Sequence, residues 1–494
     1  MAQSGAHAIM LQGTGSNVGK TVLVAGLCRL ATRRGMRVRP FKPQNMSNNA
    51  AVADVPLADG TGGEIGRAQW LQAVACGTPS HIDMNPVLLK PQSEIGSQII
   101  VHGKVWGAAK GRDYQRIKPQ LLSAVMESYE RLREQADLVI VEGAGSPAEI
   151  NLREGDIANM GFATAANVPV VLVGDIDRGG VIASLVGTHT ILPDGDRDLV
   201  RGYLINKFRG DVSLFDSGLL EIERFTNWRS FGVVPWLEGI EKLPAEDSVA
   251  LQNSVADQGA GPKVAVPVLG RISNFDDLDP LKFEPNLRVQ FVKPGEGWPS
   301  DAKLVVLPGS KSTIADLRQF QALGWDERLR EHVRAGGHVL GICGGYQMLG
   351  KVVRDPQGLE GDVRRAGGIG LLDVETELVP TKTVLNRRAS DVASGLPLSG
   401  YEIHMGRTGG PDCARPMIRL DGEPDGAVSR DGRVRGCYLH GLFASDDWRR
   451  NYLASLGIEG SQQSYRAQLE AALDELADQL EAVVDPAIFD LKSN

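Results

Sequence analysis

Gly13-Thr14-Gly15-Ser16-Asn17-Val18-Gly19-Lys20-Thr21 stands between a short apolar run, Ala8 to Gln12, and a helix-forming stretch, Val22 to Arg33. A glycine-rich turn in that place commits the chain to a parallel α/β architecture, because backbone N–H groups cradle phosphate where a strand feeds a helix N-terminus. Lys20 is placed to reach the β- and γ-phosphates of a nucleotide, and the Thr21 hydroxyl to ligate Mg²⁺. ATP and Mg²⁺ are therefore the expected cofactors. The strict pattern GxxxxGK[ST] would put glycine at position 14, where this chain has threonine.

The rest of the chain repeats the architecture. Arg37 to Lys42, Leu138 to Glu142, Val170 to Asp175, Tyr203 to Asn206 and Phe231 to Val234 read as strands, most of them apolar without alternation, as in sheets buried on both faces. A polar stretch, Ala245 to Pro262, follows. Beyond it Val264 to Leu269, Arg288 to Val292, Leu304 to Leu307 and Val339 to Ile342 resume the style without sequence self-similarity to the first half. For 494 residues, two doubly wound α/β domains are the economical reading. The expected division is residues 1–248, a linker at 249–262, and residues 263–494. In the last stretch Leu469, Leu473, Leu476, Leu480 and Val483 recur at helical spacing, which predicts a C-terminal helix packed on its own, second domain.

Several side chains can join the phosphate loop. Glu142 ends an apolar strand before Gly143-Ala144-Gly145, so its carboxylate can approach a metal, and Lys42 ends another strand, where a second cation would stabilise a transferring phosphoryl group and a substrate carboxylate. Asp59 and Glu64 in a glycine-rich loop are candidate metal and substrate ligands, respectively. Asn206 and Lys207, after a late strand, are placed either to meet an adenine ring or to cap the strand end. Between Lys90 and Lys118 the cations Lys90, Lys104, Lys110, Arg112, Arg116 and Lys118 outnumber Glu94 and Asp113, a local reversal in a chain of net charge −8. That overall charge, with no long basic run, argues against nucleic acid as a partner. Five cysteines without a CxxC pair suggest neither a disulfide framework nor a zinc site, and no apolar run reaches the roughly 20 residues of a membrane helix, so a cytoplasmic protein with no membrane partner is expected. Nothing in the sequence fixes an oligomeric state.

A second motif carries different chemistry. Val339-Leu340-Gly341-Ile342-Cys343-Gly344-Gly345-Tyr346-Gln347 reads as strand, sharp turn and helix, with Cys343 at the apex. Small neighbours tolerate the strained turn, and a following helix N-terminus favours the thiolate. Gly309 and Ser310, after another strand, and Gly344 can supply N–H groups to an oxyanion hole. Far downstream His440, in Gly436-Cys437-Tyr438-Leu439-His440-Gly441, is the candidate general base and then acid.

The GTGxxVGKT loop resembles the dethiobiotin synthetase-like branch of P-loop enzymes, which make acyl phosphates from carboxylates. The lysine-free interval between Gly13 and Gly19 departs from the related partitioning ATPases. The cysteine elbow with its distant histidine resembles class I glutamine amidotransferase domains of flavodoxin-like fold, which release ammonia from L-glutamine through a γ-glutamyl thioester. Their usual third member is a glutamate two residues after the histidine, where this chain has Leu442, so the resemblance narrows to the cobyrinate-type branch that works with a Cys-His pair; Glu402 is a substitute orienter to consider. Together with Lys42-Pro43-Gln44-Asn45-Met46-Ser47-Asn48-Asn49, Tyr401-Glu402-Ile403-His404-Met405-Gly406 and Tyr438-Leu439-His440-Gly441-Leu442-Phe443, the chain resembles the cobyric acid synthase family over nearly its whole length. The resemblance implies ATP- and glutamine-dependent amidation of the b, d, e and g carboxylates of a corrinoid, adenosylcobyrinate or hydrogenobyrinate a,c-diamide. The basic stretch would then face a polyanionic guest. Competing readings are a cobyrinate a,c-diamide synthase, a CTP synthase, which Leu442 opposes, and a P-loop switch ATPase whose second domain serves only as an interaction module.

Overall fold

A computed structural model describes residues 6–93, 96–246 and 261–492. The expected linker thus lies mostly outside the described residues, as does Glu94. Continuous apolar strands dictate sheets covered on both faces, and the first is an all-parallel sheet of six strands. Its order is Arg229–Pro235, Val200–Phe208, Val170–Asp175, His7–Gly13, Leu138–Glu142, Val38–Phe41. His7–Gly13 lies in the middle, so the loop that leaves it opens at the centre of the sheet's C-terminal edge, where the strand order reverses and doubly wound folds bind their ligands. A smaller sheet (Gln44–Met46, Val87–Ser93, Gly96–Val101, Lys104–Lys110) is inserted between the second and third strands in sequence.

The second domain has the order Arg288–Val292, Lys263–Pro267, Ala302–Leu307, His338–Ile342, Val434–Cys437, Ala427–Val428, parallel except for the last, antiparallel edge. Against it stands a long antiparallel hairpin, Glu375–Asp391 with Pro397–Gly409, which the strand reading did not identify. Its charged and hydroxyl side chains mask the apolar alternation that marks a strand.

The C-terminal helix, Tyr465–Glu481, corrects one expectation. It packs on the first domain, not on its own: Leu469, Leu473, Leu476 and Leu480 share a core with Leu23, Val24, Leu27 and Leu30 of the helix after the phosphate loop. Gly26 permits this approach, since a Cβ there would lie 2.4 Å from Leu480. Arg29 pairs with Asp474 and Glu470 alongside. The chain therefore returns to its beginning and clasps the two domains. Between them Ala50, Val52, Leu88 and Ile100 bury against Tyr401 and Ile403, and Arg67 meets Asp276 at 3.0 Å.

Candidate functional site

In the phosphate loop Asn17 and Gly19 adopt left-handed φ of 59° and 93°, which turns successive N–H groups to one side. Gly13 has no room for a Cβ, which would meet Gly15 O at 2.7 Å and Lys20 Nζ at 2.9 Å. Thr14 N–H donates to Val173 O at 3.0 Å, tying the loop to the sheet. Lys20 folds back over the loop and donates to Gly145 O at 3.1 Å; burial lowers its pKa, with Glu142 opposing. The expected partners Glu142 and Lys42 are here. Thr21 Oγ1 lies 2.6 Å from Glu142 Oε1, Lys42 Nζ is 2.8 Å from the same oxygen, and Gln72 Nε2 holds the other carboxylate oxygen at 2.7 Å. Burial works against the Lys42 ammonium, but Glu142 and Glu246 outweigh it and hold its pKa above the usual lysine range.

These groups line a cavity of about 1430 Å³ that runs from Ser16 to Val22 past Lys118 and Arg153 and reaches Lys282, Phe283 and Phe291 of the second domain. Its floor offers phosphate donors and hard oxygens, and a hydroxyl with a carboxylate suits Mg²⁺, which bound there would neutralise charge on transferring phosphates.

Other expected groups lie elsewhere. Asp59 is an exposed carboxylate that accepts from Lys104 Nζ and from Thr61, whose hydrogen bonds hold its pKa low; it is not at the phosphate loop, so the metal assignment is corrected. Glu64 is buried between Lys90 at 2.9 Å and Lys382 of the second domain. Burial favours its neutral form, but these cations overcome that and bring the carboxyl to about 2. It belongs to the domain interface rather than to the phosphates. Asn206 and Lys207 stand against the loop itself, donating to Val18 O at 2.8 Å and Asn17 O at 2.6 Å, and Lys207 also pairs with Asp175. The basic stretch is dispersed too: Lys90 and Lys104 are paired, Arg116 is exposed beside Asp113, the side chains of Lys110 and Arg112 lie outside the described residues, and Lys118 lines the cavity.

The thiol site is fully assembled. Cys343 sits at the strand-to-helix turn with φ 53°, a strained value for a residue with a Cβ, and is 7% exposed. Gly309, Ser310 and Gly344 close around it: a Cβ on Gly344 would stand 2.7 Å from Ser310 N, and one on Gly309 3.2 Å from His440 Cε1. His440 stacks on Tyr401 at 5.1 Å beside Cys343, whose thiol donates to Ile403 O at 3.7 Å. Its other nitrogen, Nδ1, lies 2.7 Å from Asp277 Oδ2, and the second oxygen of Asp277 accepts from Gly441 N at 2.7 Å. Burial disfavours the imidazolium, yet Asp277 and Cys343 outweigh it and push His440 up to about 10.

Asp277 thus stands where a third, orienting member of the site is needed. Asp277 comes from the turn Phe275–Leu278, not from the position after the histidine, where Leu442 is fully buried. Glu402 holds Arg387 at 2.6 Å and His404 at 3.1 Å, not His440. Sequence reasoning missed Asp277, Gln72 and Glu246. A signal existed for Asp277: Asp276, Asp277 and Asp279 crowd an otherwise apolar turn, Phe275 to Leu281.

Residues 9–250 match the model of the CobQ/CobB/MinD/ParA nucleotide binding domain, and residues 263–448 that of the CobB/CobQ-like glutamine amidotransferase domain. A protein of Rhizobium johnstonii named cobyric acid synthase is 66% identical over 97% of this chain and 97% of its own length. The chain belongs to the cobyric acid synthase family. Another member, from Brucella anthropi, is 64% identical over 99% of this chain and 100% of its own. Membership makes the chain a glutamine amidotransferase ligase with a nucleotide-binding domain, and it sets aside the switch-ATPase reading. Where the two domains meet, Lys311 and Lys382 of the second domain donate to Gln98 Oε1 of the first at 3.0 and 3.2 Å. Among the described residues no helix is long and apolar enough to cross a membrane.

Proposed function

We propose that the chain amidates the b, d, e and g carboxylates of a cobyrinate-type a,c-diamide, using ATP and the amide nitrogen of glutamine. The observation that carries the reading is the pairing of two complementary sites in one chain: a phosphate-loop cavity large enough for a nucleotide beside a bulky guest, and a Cys343–His440–Asp277 site.

In the first site a substrate carboxylate oxygen attacks the γ-phosphorus of ATP, ADP leaves, and an acyl phosphate forms. Lys20 and the loop N–H groups stabilise charge on the transferring phosphoryl group, and Lys42 steadies the attacking carboxylate. In the second site the Cys343 thiolate attacks the glutamine side-chain carbonyl, N–H groups around Gly309, Ser310 and Gly344 hold the oxyanion, and His440 gives its proton to the departing ammonia. His440 then takes a proton from water, which hydrolyses the thioester to glutamate. Ammonia attacks the acyl phosphate, phosphate leaves, and the amide remains. Asp277 holds the imidazole in the tautomer that presents Nε2 to sulfur.

The test is mass spectrometry of a cobyrinate a,c-diamide incubated with the chain, ATP, Mg²⁺ and glutamine. Successive exchanges of hydroxyl for amine, ending when four carboxylates have reacted, are expected; no change in mass would reject the reading. Incubation with the unamidated cobyrinate examines the a,c-diamide synthase alternative, which predicts amidation of that acid instead.

A further inference from the structure

The stretch Lys42 to Asn49 contains polar side chains that the mechanism above leaves without a role. The structure gives two of them one. Ser47 Oγ donates to Glu246 O at 2.8 Å, and Asn49 Nδ2 to Ala245 O at 3.3 Å, so the end of the first domain is gripped beside the phosphate loop. The grip directs the Glu246 side chain onto the cavity floor. One of its oxygens lies 2.6 Å from Thr21 Oγ1 and the other 2.5 Å from Lys42 Nζ.

Thr21 thereby faces two carboxylates, since Glu142 Oε1 is also 2.6 Å from its hydroxyl oxygen. A hydroxyl has one proton to donate, so it satisfies only one of the two. A cation among the three oxygens resolves the conflict. Thr21 is the residue of the loop whose hydroxyl faces the metal in phosphate-loop enzymes, and Gln72 fixes Glu142 from behind, leaving its Oε1 toward Thr21. One or two carboxylates completed by phosphate oxygens and water is the manner in which Mg²⁺ is held, in contrast to an all-protein cage. Among the described residues no group of three or more His, Cys, Asp or Glu side chains forms such a cage.

We propose that Glu246 is the second carboxylate ligand of the divalent cation that enters with the nucleotide, in the place expected of Asp59, and that Ser47 and Asn49 are its positioning residues. The inference rests on the reading of the phosphate loop as an ATP site.

The test is Mn²⁺ titration of the full chain, read by electron paramagnetic resonance, with a non-hydrolysable ATP analogue present. A parallel titration measures the analogue's own affinity in chelator. Glu246→Gln is expected to weaken Mn²⁺ binding about tenfold or more, by the scale of lost groups around metal ions, while binding of the metal-free analogue stays the same or tightens. Ser47→Ala is expected to weaken Mn²⁺ binding less. Glu246→Asp keeps the charge but shortens the reach and is expected to fall between wild type and Gln, which provides a reading if the Gln variant does not fold. Unchanged Mn²⁺ affinity in Glu246→Gln or Glu246→Asp overturns the proposal, and if metal-free nucleotide then binds more tightly, Glu246 is a plug that nucleotide displaces. Failure of the unaltered chain to bind nucleotide in either titration would overturn the ATP-site reading as well.

Discussion

The thiol site and the phosphate-loop site solve opposite problems. Around Cys343, the nucleophile, the base and its orienting carboxylate are all buried and hydrogen-bonded, and the strained φ of Cys343 is held by packing on every side. Around Thr21 the charged groups satisfy one another across an open cavity, with Lys42 shared between Glu142 and Glu246. The first arrangement is ready for a small, uniform substrate; the second holds its charges in provisional pairs until a nucleotide and a large guest replace those pairs. Preorganisation therefore belongs to the step that must not leak ammonia, and adaptability to the step that must accept several carboxylates in turn.

Replacing one atom of the orienter should break the contrast most. Asp277→Asn keeps the shape but removes the charge, so burial should dominate and His440 should lose its proton at lower pH. Glutamine hydrolysis is expected to fall by about 10²- to 10⁴-fold, with ammonia-driven amidation intact. A stability measurement gives a second readout. A histidine raised above its unfolded value contributes stability that is complete below about 6.5 and is lost as pH rises through about 10, so wild type should lose stability over that window and Asp277→Asn should lose less. Equal hydrolysis by the variant and wild type would remove Asp277 from the site.

Lys20→Ala comes next. Losing a charge-stabilising contact costs about 2.7 to 4 kcal/mol, or roughly 10²- to 10³-fold, and this loss should appear with glutamine and with ammonium salt alike. Near-normal ammonia-driven turnover would show that Lys20 does not serve the phosphates. The smallest effect on rate is expected of Leu442→Glu. With Asp277 already on Nδ1, a glutamate two residues after the histidine has no vacant role, and glutaminase activity measured without ATP or corrinoid should not rise. The side chain is fully buried, so the variant should instead lose about 2 kcal/mol of stability from the removed apolar surface. A clear gain in hydrolysis would mean that His440 still lacks an orienter.

The two regions also differed in how far the sequence revealed them. Phosphate loop and cysteine elbow are local motifs in which consecutive residues carry both the turn and the chemistry, so Lys20, Thr21, Cys343 and Gly344 were legible, as were the parallel strands that present them. Glu142, Lys42 and His440 were legible because each stands at or just beyond the C-terminal end of a strand, Leu138–Glu142, Val38–Phe41 and Val434–Cys437. Asp277 and Glu246 were not, because each reaches its partner over a long stretch of chain, 163 residues to His440 and 225 to Thr21, and neither stands in a repeating pattern. Asp59 and Glu64 failed for the converse reason: a carboxylate in a glycine-rich loop takes whatever cation folding brings, here Lys104 for one and Lys90 with Lys382 for the other. The helix stripe from Leu469 to Leu480 announced a buried face but not which domain would cover it, and only the close approach at Gly26 decides that.

The separation of the two chemistries is the claim on which everything above depends, and Cys343→Ala tests it most directly. Amidated corrinoid is to be quantified by mass spectrometry in paired incubations of the variant with ATP and Mg²⁺, one supplied with glutamine and one with ammonium salt. The account predicts no product with glutamine and near wild-type product with ammonium, because the thiolate serves only to release ammonia. Equal loss in both incubations, by a variant whose melting temperature matches wild type, would contradict it.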